Sequence, residues 1–155
     1  MLRSMMNIQW RWHPWQELSP DVLHGFLKLR SDIFVVEQNC VYSDMDGLDP
    51  RCTHLCGYNS EQLVAYLRVV PPGLKSEIPA LGRLVVAKSH RRRGLSRQAI
   101  ELGLARCARH FPGQPVRAQA QAHLASFYQT LGFTKVSDEY REDGIAHVDM
   151  LWTRR

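Results

Sequence analysis

No apolar run in the 155 residues approaches the ~20 needed to span a bilayer, so no membrane contact is expected. The opening stretch, Met1 to Trp10, has one arginine but neither the continuous apolar core nor the small-residue cleavage site of a secretion signal. A cytoplasmic location is the expectation. Cysteine is scarce: Cys40, Cys52, Cys56 and Cys107. Only Cys52-Thr-His-Leu-Cys56 is patterned, with His54 on the same face of a strand, and no second ligand pair stands at metal-site spacing. No metal is expected, and the thiols read as reduced and partly buried. Neither a GxGxxG fingerprint nor a P-loop is present. Low-complexity tracts, internal repeats and linkers are missing too, so residues 1–155 are expected to form a single domain. With 45% hydrophobic and 23% charged residues, the chain reads as globular and can bury roughly two-thirds of its unfolded surface.

What the sequence does have is basic charge in one place. The net charge is +5, and the cations gather at Lys88, Arg91, Arg92, Arg93 and Arg97, with smaller groups at Arg106, Arg109 and Arg154-Arg155. The gathered set lies in Leu81-Gly-Arg-Leu-Val-Val-Ala-Lys-Ser-His-Arg-Arg-Arg-Gly-Leu-Ser96, which reads as an apolar strand, a basic loop and a helix beginning near Leu95. The first amides of a helix lack intrahelical partners, and its dipole adds partial positive charge at that end. Exposed amides amid arginines make a pocket for phosphate or pyrophosphate. Charge concentrated on one loop suits a compact polyanion better than a duplex, which disfavours nucleic acid as the partner.

Elsewhere the elements alternate. Ile8, Trp10 and Trp12 predict a first strand, and Ser19-Pro20-Asp21 opens a helix carrying Val22, Leu23, Phe26, Leu27, Ile33 and Phe34. Leu55 to Tyr58 and Leu63 to Val70 predict a hairpin across Asn59-Ser-Glu-Gln62, and Leu84 to Ala87 the next strand. Ile100, Gly103, Leu104, Cys107 and Phe111 mark the buried stripe of the following helix. Val116 to Ala120 predicts a strand and Leu124 to Leu131 a helix closed by Gly132; Phe133 to Val136 and Ile145 to Trp152 predict the last strands, around Glu142-Asp-Gly144. The expected fold is α/β: a central mixed sheet of six to seven strands with helices on both faces.

Arg91-x-x-Gly94-x-Ser96 resembles the Arg/Gln-x-x-Gly-x-Gly/Ala signature of the GNAT superfamily of N-acetyltransferases, and Ala125-Ser-Phe-Tyr-Gln-Thr-Leu-Gly-Phe133 is similar to its "FYxxxGF" segment. Leu29 to Cys40 with Asp44-Met-Asp-Gly-Leu-Asp49, and Gln119 to Tyr128 with Glu142 to His147, resemble the narrower ElaA-like acyltransferases. The chain departs from the pattern at Ser96, where the family prefers Gly or Ala, and at Gln121, where many members have Asn. The resemblance implies a GNAT-like fold and an N-acetyltransferase with acetyl-CoA as cosubstrate and an amine as acceptor. It implies that Leu84, Val85 and Val86 hold the pantetheine through their backbone, provided this strand splays from Val116 to Ala120. Arg91, Arg92, Arg93, Gly94, Leu95 and Ser96 would hold the pyrophosphate, with Gln121 and Phe127 also beside the cofactor. Tyr128 would assist the leaving thiolate.

For the general base, Glu37, His147 and His123 are the candidates, His147 sharing a strand face with Asp149 as a proton relay. Asp44, Asp46 and Asp49 could attract a cationic substrate. A non-catalytic acyl-CoA sensor or a nucleic-acid-binding module is the alternative, and a homodimer is left open.

Overall fold

The computed structural model describes residues 7–154; residues 1–6, and Arg155 of the C-terminal basic pair, lie outside the described residues. The chain begins with strand β1 (Ile8–Pro14) and helix α1 (Pro20–Arg30). Ser19 caps α1 by accepting the Val22 N–H at 3.2 Å, with Pro20 at the first helical position, where a missing N–H costs nothing. The helical pattern then continues differently from expectation. Ser31–Glu37 winds as a π-helix, with Gln38 N–H on Ile33 O and Cys40 N–H on Val35 O, both at 3.1 Å. The wider turn re-phases the side chains, and Ile33, Phe34 and Glu37 come to line the central cleft of the molecule.

Strands β2 (Thr53–Asn59), β3 (Gln62–Val70) and β4 (Ala80–Val86) form an antiparallel meander with β1. Helix α2 (Leu95–His110) crosses back to β5 (Val116–Gln121), which runs parallel to β4. After α3 (Ala125–Thr130) come β6 (Phe133–Lys135), β7 (Tyr140–Glu142) and β8 (Ile145–Trp152). The sheet order is β1-β2-β3-β4-β5-β8-β6, with β7 also paired to β8. That makes eight strands, one more than the upper count expected. The turn Glu142-Asp-Gly144 joins β7 to β8 rather than β6 to β8. Asp143 and Gly144 both take positive φ (50° and 78°), the conformation that closes a tight hairpin.

Helices cover both faces, as expected. On one, Phe26 of α1 packs with Cys56, Tyr66 and Val85. On the other, Ala99, Ile100, Leu104 and Cys107 of α2 and Tyr128 of α3 pack on Leu55, Leu67, Leu81 and Val116. Gly103 sits where α2 touches the sheet: a Cβ there would lie 2.7 Å from a Leu67 methyl, so the close approach needs glycine.

Candidate active site

The shortest strand pairing in the sheet is the one between its two parallel strands. Strands β4 and β5 pair only at Ala80–Arg117 and Leu81–Ala118, and then diverge. The cause lies on the other edge of β4. Tyr66 is opposite Val85 and Arg68 opposite Gly82, so three steps of β4 face two of β3, which is a β-bulge. Arg83 takes the strain, with φ at 52°, a conformation that costs a non-glycine residue about 1–3 kcal/mol. Beyond the bulge, Leu84–Val86 and Gln119–Gln121 share no ladder, and those backbone groups facing the gap are available to a ligand.

A cleft of about 720 Å³ opens at this split. At one end stands the N-terminus of α2, which no side chain caps; Gly94 turns the chain into it at φ 77°. No residue with a Cβ takes that angle without strain. Leu84, Val85, Val86, Arg91, Ser96 and Gln121 line the cleft. Arg92 and Gly94 lie at the exposed turn outside the lining, and so does Arg93. Leu95 is buried with Val64 and Ala65, and Phe127 packs on the main core; neither side chain lines the cleft. Their side chains answer to packing rather than to the cleft.

Two candidates expected to act separately hold each other. Arg91 donates to both carboxylate oxygens of Glu37, at 2.8 and 2.6 Å, and to the Val86 carbonyl at 3.2 Å. The Arg91 guanidinium keeps the Glu37 carboxyl below the usual carboxylate range. That makes it a weaker base than the sequence reading expects.

Tyr128 is buried in α3 and lines the cleft, its ring edge-on to Phe133 at 5.4 Å. Burial pushes its phenol up to about 12, and no hydrogen bond reaches the hydroxyl among the described residues. His147 lines the cleft as well. Its Nδ1 donates to the Ile145 carbonyl at 2.7 Å, so in the neutral imidazole Nε2 is the acceptor. The expected relay with Asp149 does not form. Asp149 accepts from Arg117 at 2.9 Å and from Tyr140 at 2.7 Å instead.

The acids of residues 44–49 are also spoken for. Arg30 bridges Asp44 (2.8 Å) and Asp49 (2.9 Å), Arg68 bridges Asp49 (3.1 Å) and Asp46 (2.8 Å), and Arg83 approaches Asp46 (3.4 Å) and Asp44 (2.9 Å). The six groups close a ring in which every charge faces two of opposite sign. Burial alone would raise the Asp46 and Asp49 carboxyls, but the arginine bonds outweigh it and hold both low. These acids therefore fasten the loop to β3 and β4, and the expectation that they attract a cationic substrate is corrected.

Sequence reasoning missed the polar floor of the cleft's other end. There Gln119 accepts from Lys75 at 3.1 Å and donates to Tyr140 at 2.7 Å and Glu142 at 2.6 Å. The alternation of Arg117, Gln119 and Gln121 in β5 was the available signal. The partners come from β7 and the 71–79 loop, which carry no periodic pattern. Among the described residues, no group of His, Cys, Asp and Glu could hold a metal ion, and no helix is long and apolar enough to cross a membrane.

Residues 30–154 match the family described as the acetyltransferase (GNAT) domain. The chain is 40% identical over 145 residues to protein ElaA of Escherichia coli strain K12, covering 92% of this chain and 95% of that protein. The crystal structure of E. coli ElaA superposes with a TM-score of 0.90 at 38% identity, over 95% of this chain and all of the other. That of an acyl-CoA N-acyltransferase from Pseudomonas aeruginosa gives 0.91 at 36% identity, with the same coverage.

Proposed function

The chain belongs to the GNAT acetyltransferase family, and from that premise we propose that it is an N-acetyltransferase moving the acetyl group of acetyl-CoA to a primary amine by direct attack. The observation that carries this reading is the gap between β4 and β5, ending at an uncapped helix N-terminus. A pantetheine arm is a chain of amides and needs backbone donors and acceptors along one edge. A pyrophosphate needs unpaired N–H groups and cations. The cleft provides both within one wall, through Leu84–Val86 and through Arg91 and Ser96. Direct attack by the amine requires no nucleophile from the protein, and the buried thiols of Cys52, Cys56 and Cys107, raised to about 11 or 12, stand outside the cleft.

Proton accounting assigns the remaining roles. A free amine is mostly protonated near neutrality and attacks only as the neutral form. His147, with Nε2 open, serves as the base, and Glu37 acts through Arg91 instead. A backbone N–H of β4 near Val85 or Val86 receives the developing oxyanion. The departing thiolate belongs to a thiol titrating near ~8.5. A phenol at about 12 does not give its proton to so weak a base, so Tyr128 stabilises the thiolate by donating a hydrogen bond.

Free-thiol release from acetyl-CoA across a panel of primary amines tests the reading. With an accepted amine, Tyr128→Phe should lower kcat roughly 10²-fold while leaving acetyl-CoA affinity unchanged. Unchanged kcat would remove Tyr128 from the chemistry, and failure of acetyl-CoA to bind the wild-type protein would overturn the reading itself.

A further inference from the structure

Arg91 and Glu37 meet inside the cleft, 54 residues apart in sequence, through a bidentate contact at 2.8 and 2.6 Å. A carboxylate offers two coplanar oxygens to a guanidinium fork, and so does a phosphate. Glu37 thus occupies the valences that an anionic ligand would use on the cleft's best-placed arginine. Both side chains line the same cleft wall as Ser96, at the uncapped start of α2. Arg91 is further held by the Val86 carbonyl, at the end of the unpaired stretch of β4. The fork is therefore fixed across the place where strand edge and helix terminus converge.

Two anions cannot share this fork. A pyrophosphate brought beside Arg91 would stand within a few ångströms of the Glu37 carboxylate, and like charges so close repel unless one withdraws. The pair is only half-buried, with side-chain exposures of 38% for Arg91 and 32% for Glu37, so withdrawal into water is open to Glu37. Solvent exposure also keeps the pair weak enough to exchange. The Lys88 ammonium adds to the positive surroundings that favour an anion here with or without Glu37.

We propose that Glu37 is a built-in placeholder for the donor's pyrophosphate, keeping Arg91 extended in the cleft until the anionic ligand displaces the carboxylate. The inference rests on the donor-site reading above and makes Glu37 a positioning residue acting through Arg91. It has an unusual sign: removing a side chain from the binding cleft improves binding. A carboxylate that merely shaped the cleft, or that contacted the donor, would lose affinity when altered.

Calorimetric titration of acetyl-CoA into wild type, Glu37→Gln, Glu37→Ala, Arg91→Ala and the Glu37→Ala/Arg91→Ala double variant separates the cases. Both single Glu37 variants should bind roughly two- to five-fold tighter, the range of a half-exposed ion pair released from competition. Arg91→Ala should bind more weakly, and in that background Glu37→Ala should change nothing, because the competition needs Arg91. Equal or weaker binding by both Glu37 variants, with wild type binding normally, overturns the placeholder and leaves the donor site standing. Tighter binding that persists without Arg91 also overturns it, since the effect would then be general electrostatics. No binding by wild type defeats the donor site first. A melting curve of each variant without ligand confirms that comparisons are made between folded proteins.

Discussion

His54 shows how far one buried side chain can be committed. It is fully buried on β2, stacked on Phe26 at 4.8 Å, with Nε2 3.0 Å from the Asp49 carbonyl and Nδ1 2.6 Å from the Tyr66 hydroxyl. The carbonyl can only accept, so Nε2 carries the proton and Nδ1 receives the one from Tyr66. Burial lowers the imidazole to about 4, against an ordinary value near 6.5. The unfolded chain therefore binds a proton that the folded chain refuses throughout that interval, and stability falls as pH drops through it. At pH 5 the loss from this group should be roughly 2 kcal/mol relative to pH 7. Urea unfolding at the two values checks this. Wild type should lose stability on acidification, and His54→Gln, less stable at pH 7, should show a markedly flatter response between them.

At the scale of elements, the ring of Arg30, Arg68, Arg83, Asp44, Asp46 and Asp49 links the end of α1, the strands β3 and β4, and the 42–49 loop. Its position explains the bulge: the same Arg83 that takes a left-handed conformation is held by two aspartates, which offsets the strain. Removing one member strands the others. Asp49→Asn leaves Arg30 and Arg68, both essentially inaccessible, without a shared charge, and should cost about 3–5 kcal/mol in chemical denaturation. A loss below 1 kcal/mol would mean that water already screens the ring.

None of this was legible in the sequence. Asp44-Met-Asp-Gly reads as a turn, and nothing local says that three arginines from three elements converge on it. By contrast, α1 was visible in its cap, α2 in its apolar stripe, and the strand-loop-helix at the basic end of the cleft in the run from Leu81 to Ser96, because each depends on near neighbours. The π winding of Ser31–Glu37 and the three-residue β7 escaped, since each is decided by packing rather than by a repeating pattern.

Across the whole molecule, the cleft is placed by a failure of sheet pairing. Seven hydrogen-bonded junctions join the eight strands, and one of them, the parallel β4–β5 pair, lasts two residues. Charge follows the same plan. The ring's three arginines and three aspartates neutralise one another and add nothing to the net charge of +5, so the loop before α2 keeps a concentration of cations that favours an anion. Splay and charge meet at one end of the cleft; the charge was expected from the order of strand, basic loop and helix, and the splay only from the resemblance to the family. The width of the split depends on a bulge that only the β3–β4 register reveals.

Amide hydrogen exchange across residues 82–98, with and without saturating acetyl-CoA, tests most directly whether this split is the donor site. Slowed exchange at residues 84–86 and at the first turn of α2, with β1 and β2 unaffected, is the predicted result. Binding that leaves both segments exchanging at their free rates would contradict the account.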